Sequence, residues 1–131
     1  MMWRVSRISL FSVAVVGLAI AWIVFSGIDD PPPGPRVRGD FQSINAALHT
    51  YKIIAGFYPE TNQGLKALMK KPTSGPVPID WVQLIEKVPT DPWKREYQYR
   101  RLAEGAAPGF ELRSLGPDGK LHTKDDLSSL D

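Results

Sequence analysis

The stretch "DFQSINAALHTYKIIAG", Asp40 to Gly56, decides how the chain around it is organised. Phe41, Ile44, Leu48, Tyr51 and the Ile54/Ala55 pair recur at the spacing of one face of an α-helix. Gln42, Asn45, His49 and Lys52 fall among the other positions. Asp40 carries an oxygen suited to cap a first turn, and Gly56 suits the left-handed residue that ends a helix. The pattern predicts an amphipathic helix of about four turns with its stripe against a core. The polar face is not basic, which disfavours a helix lying on a membrane surface. His49 lies off the stripe with no ligand partner one turn on, and reads as a surface histidine.

Downstream, "YPETNQGLKALMKKP" (58–72) predicts a short second helix. Thr61 or Asn62 is placed to cap it, Leu65, Leu68 and Met69 form its apolar side, and Pro72 follows its end. "PTSGPVPIDW" is a proline-rich loop, and "DPW" (91–93) opens a β region. In "EYQYRRL" Tyr97 and Tyr99 alternate with polar residues, and in "FELRS" Phe110 and Leu112 share a side. The Gly- and Ala-containing segment between them predicts an antiparallel hairpin. One long helix followed by a small antiparallel sheet is an α+β layout.

Upstream, "ISLFSVAVVGLAIAWIVF" (residues 8–25) carries no charge and is near the lower limit for crossing a bilayer. Arg4 and Arg7 precede it and Asp29 and Asp30 follow, so the positive-inside rule places the N-terminus in the cytoplasm. Trp3 and Trp22 sit near its ends. A signal peptide cleaved after Ser26 is the rival reading; the length of the run favours an anchor. Either reading exports the remainder. "DDPPPGPR" (29–36) then predicts a stiff, polyproline-like spacer, because prolines lack the N–H that a helix interior needs. The expected organisation is an anchor over residues 1–27, a linker over 28–39 and a folded domain over 40–131.

Composition narrows the function. The 131 residues carry a net charge of +2 with acidic and basic groups interspersed, and "KK" (70–71) and "RR" (100–101) read as solvated faces, so no nucleic-acid partner is expected. No cysteine is present, which removes a disulfide framework, a thiolate zinc site and a cysteine nucleophile. Two distant histidines and no nucleophile elbow leave little for an enzyme or a small-molecule substrate.

The remaining chemistry lies in "SLGPDGKLHTKDD" (114–126), where Asp118, Asp125 and Asp126 share one turn-rich segment. Gly116 and Gly119 permit a loop that doubles back. The spacing is not that of an EF-hand. From the residues alone, a cage for a hard cation such as Ca²⁺ and a solvated acidic loop both remain open. His122 stands alone among oxygen donors, which argues against a transition metal.

The stretches "INAALHTYK", "GFYPETNQGLKALMKKPTSGP", "VPTDPWKREYQY" and "SLGPDG" together carry a resemblance. The run from Asp40 to Asp126, about two thirds of the chain, resembles the soluble domain of the major pseudopilins, the G subunits of type II secretion systems. The resemblance implies a pseudopilin-like fold and a structural Ca²⁺ in the C-terminal loop. Asp118, Asp125 and Asp126 would supply side-chain oxygens, and Leu115 and Thr123 backbone carbonyls. It also implies a non-enzymatic role in protein secretion and other pseudopilins or secretion components as partners. The expected location is the bacterial inner membrane, spanned once, with the domain periplasmic.

The N-terminus departs from that family's pattern. "RISLFSVAVVGLAIAWIVF" has no Gly-Phe cleavage junction and no glutamate early in the apolar run, and "PPPGP" falls where the family continues one helix. A tethered domain that recruits a partner without forming a filament is the alternative expectation.

Overall fold

Pro33 begins a helix where the sequence predicts a spacer. The computed structural model describes residues 33–131. The predicted membrane segment, the charges that orient it and the first residues of the predicted linker lie outside that range. Among the described residues no helix is long and apolar enough to cross a membrane.

Helix α1 spans Pro33–Ala55. The proline-rich reading of residues 33–39 is therefore corrected, and Asp40 lies inside the helix rather than capping it. The reason is positional. The first four N–H groups of a helix have no acceptor within it, so Pro33 and Pro35 lose nothing by lacking theirs. Gly34, with no Cβ, relieves the crowding that a proline imposes on the residue before it. The stripe gains a turn at its start, and Val37, Phe41, Ile44, Leu48 and Tyr51 are buried. Its predicted end holds only in part: Ala55 packs partly buried against the core, whereas Ile54 is exposed. Gly56 ends the helix as expected, with a φ of 85° and its N–H bonded to the Lys52 carbonyl at 2.7 Å.

The predicted second helix is one 3-10 turn, Leu65–Leu68, and no side chain caps it. Thr61 is used elsewhere: its hydroxyl accepts the Arg101 N–H at 2.9 Å. Gln63 organises the segment instead. Its side chain accepts the Glu60 N–H at 2.8 Å and donates to the carbonyls of Ser74 and Pro76 at 2.7 and 3.0 Å. The following loop returns to the turn, where the Trp81 indole donates to the Ala67 carbonyl at 2.8 Å and the Leu84 N–H to that of Leu68 at 2.9 Å.

The sheet has three antiparallel strands in the order β1 (Gln98–Arg101), β2 (Phe110–Ser114), β3 (Leu127–Ser128). The predicted hairpin is β1 and β2, with Tyr99 opposite Leu112 and Arg101 opposite Phe110. Strand β3 was not expected. It pairs with the end of β2, placing Arg113 opposite Ser128. Tyr97, Tyr99, Phe110 and Leu112 close over the α1 stripe. Phe110 meets Tyr58 edge-on at 5.0 Å and His49 at 5.9 Å. His49 is exposed as read, but its Nδ1 lies 2.9 Å from the Tyr58 hydroxyl.

Candidate functional site

Between β2 and β3 runs the loop that holds the three aspartates, and a fourth aspartate anchors it from beneath. Asp91 is 1% exposed. Its Oδ1 accepts the N–H groups of Trp93 and Arg95 at 3.0 and 2.8 Å. Its Oδ2 accepts the Ser114 hydroxyl at 2.8 Å. A buried carboxylate with three donors is satisfied, and it locks the "DPW" turn to the last residue of β2. Arg95, carried by that turn, then reaches over the loop and donates to the carbonyls of Gly116 and of Pro117, the latter at 3.0 Å.

The loop brings three of the predicted ligand residues together. The Thr123 hydroxyl lies 3.3 Å from Asp118 Oδ1 and 2.5 Å from Asp125 Oδ1, and the Asp118 N–H donates to Asp125 Oδ2 at 3.0 Å. The hydrogen bond from Thr123, with the Asp118 amide next, holds the Asp125 carboxyl below its ordinary value. Gly116 makes this possible. Its φ is 59°, and a Cβ there would stand 2.3 Å from the Asp125 carbonyl oxygen. The two predicted backbone ligands are carbonyls in turns: Leu115 accepts the Gly119 N–H at 3.2 Å, and Thr123 that of Asp126 at 3.4 Å. Each keeps a second lone pair.

Asp126 is placed differently. Its Oδ2 accepts the His122 N–H at 2.8 Å and the Arg113 guanidinium at 3.1 Å. Its Oδ1 is buried and has no partner. Among the described residues no three acidic or histidine side chains converge as a finished metal cage. The donor set nevertheless suits a hard cation, being all oxygen, with one buried carboxylate oxygen lacking a partner.

Behind Asp126 lies a charged chain that the sequence stretches do not reveal. Glu111 accepts from Arg113 at 2.5 Å, from Arg100 at 2.6 Å and from the Ser128 hydroxyl at 3.0 Å. Burial opposes ionisation of Glu111, but the bonds from Arg113, Arg100 and Ser128 outweigh it and lower its carboxyl to about 2. The strand alternation was the one available signal: Glu111 and Arg113 share the face of β2 opposite Phe110 and Leu112.

Compared with known proteins, residues 35–130 match the family described as "Type II secretion system (T2SS), protein G". The type II secretion system core protein G of Pseudomonas aeruginosa is 42% identical over 112 residues, covering 82% of this chain and 78% of that protein. The corresponding proteins of Pectobacterium carotovorum and Escherichia coli K12 are 34% and 30% identical over 121 residues, each covering 89% of this chain and respectively 76% and 82% of the relative. Among solved structures, the major pseudopilin of the type 2 secretion system of enterohaemorrhagic Escherichia coli is similar with a TM-score of 0.63 at 36% identity, over 70% of this chain and 77% of that one. The chain belongs to the type II secretion system protein G family.

Proposed function

We propose that this family member is a non-enzymatic assembly component of the secretion machinery, with a periplasmic domain stabilised by calcium and tethered through residues 8–25 to the inner membrane. Other secretion-system subunits would be its partners. The observation that carries the calcium reading is the buried, unpartnered Asp126 Oδ1 beside the Asp118–Thr123–Asp125 cluster. Asp118, Asp125 and Asp126 would hold the ion with the carbonyls of Leu115 and Thr123. Calcium supplies positive charge to Asp118 and Asp125, and to an Asp126 that otherwise faces only the Arg113 guanidinium, so its binding and the folding of the loop are coupled. The role is structural.

Calcium removal tests this reading. EGTA is expected to lower the thermal midpoint, and Asp118→Ala to abolish the difference between calcium and EGTA. Identical melting of the unsubstituted protein in both would sink the calcium claim. Crosslinking in membranes separates assembly from recruitment: a ladder of self-adducts supports assembly, and a single adduct with another protein supports the tethered binding module.

A further inference from the structure

Asp126 and Arg113 make an ion pair almost out of water, with their side chains 7% and 22% exposed. A carboxylate so enclosed is costly unless a cation faces it. In this structure that cation is Arg113, which reaches Asp126 with Nη1 and Glu111 with Nε and Nη2. Glu111 does not depend on Arg113 alone, because Arg100 and Ser128 also donate to it. Asp126 has only the His122 amide besides.

We propose that Arg113 is an internal competitor of the divalent cation, holding Asp126 when no metal is bound and lowering the affinity of the loop for calcium. The inference rests on the calcium reading above. A divalent ion drawing on Asp126 must either share the carboxylate with a fixed positive guanidinium, which is repulsive, or displace it. Displacement has a ready end point, since Glu111 already receives two bonds from Arg113. In both cases the stabilisation that Arg113 gives the metal-free loop is subtracted from calcium binding, and the coupling is reciprocal. Arg113 is thus a positioning residue that sets how much calcium the loop needs before it changes state.

The test uses the full chain in detergent. Calcium affinity is read by competition with a chelating fluorophore, and metal-free stability by melting in EGTA. Arg113→Gln is expected to melt lower in EGTA and to bind calcium about tenfold more tightly, within the usual range of coupling between two sites. Arg100→Gln removes a partner of Glu111 without touching Asp126, and is expected to leave calcium affinity unchanged. Equal or weaker calcium binding by Arg113→Gln overturns the proposal, as does a matching gain in Arg100→Gln. If Arg113→Gln does not fold in EGTA, Arg113→Lys keeps the charge and loses the two-pronged contact. Its affinity should then exceed that of the parent by a smaller factor, and equality would overturn the proposal. Failure of the parent to bind calcium refutes both readings, whereas binding without a gain in the variants refutes only this one.

Discussion

The Tyr97 hydroxyl donates to Asp40 Oδ2 at 2.5 Å, joining residues 57 positions apart. The same tyrosine packs edge-on against Phe41 at 5.4 Å. Burial first, and then the bond to Asp40, raise the Tyr97 hydroxyl above its ordinary value, so it stays protonated and donating. This single side chain fastens α1, about two turns from its start, to the approach to β1. Tyr97→Phe keeps the ring and removes the donor. It is expected to cost about 1 kcal/mol or somewhat more, since the acceptor is charged. Chemical denaturation checks this, and an unchanged free energy would show that water replaces the bond fully.

Glu111 gives the domain an acid-sensitive element. Its folded value of about 2 lies below the ordinary 4.5, so ionised Glu111 favours the folded state. That contribution is complete above about pH 4.5 and is lost as the pH falls towards 2. Stability followed through this window should fall with acid, and Glu111→Gln should be less stable at neutral pH yet flatter across it. Equal slopes for both proteins would assign the acid sensitivity to other carboxylates.

At Gly116 the backbone leaves no room for a side chain. Gly116→Ala combines a φ of 59° with a Cβ placed 2.3 Å from the Asp125 carbonyl oxygen. A loss of about 2 kcal/mol or more is expected, because neither the dihedral nor the backbone contact can relax cheaply. If the loop holds calcium as proposed, the ion should no longer raise the melting midpoint of this variant. A variant as calcium-responsive as the parent would mean that the loop does not need this close approach.

Phe110, 1% exposed, is the hub where Tyr58, Tyr99 and His49 meet the sheet. Phe110→Ala should cost about 3–5 kcal/mol through lost burial and the cavity left behind. That is a large share of the stability of a domain this size. Urea unfolding measures it, and a loss under about 1 kcal/mol would mean the surrounding rings collapse into the gap.

Local periodicity carried much of this fold. The steps from Phe41 to Tyr51 and the alternation of Tyr97, Tyr99, Phe110 and Leu112 report directly which faces are buried. Other features depend on partners distant in sequence. Strand β3 is two residues long and exists because Ser114 and Arg113 offer it an edge. The start of α1 escaped because proline opposes a helix interior but not its first turn. The three aspartates were visible as a group. Their division was not, since Asp126 turns towards Arg113, a residue that in sequence looks like any surface arginine of a strand. In sequence Asp91 reads only as the opening of a β region, and its bond to Ser114 spans 23 positions.

The early start of α1 has a mechanical consequence. The residues from Pro33 to Gly39 add about 10 Å of helix before Asp40, at the usual rise per residue. Tension applied at Pro33 therefore enters along a rod, not through a slack tether. It travels two turns, past buried Val37, and arrives at the Asp40–Tyr97 latch and the Phe41 ring together. These contacts are loaded side by side, in shear, so the domain resists a pull from its upstream end as a unit before any one of them peels away.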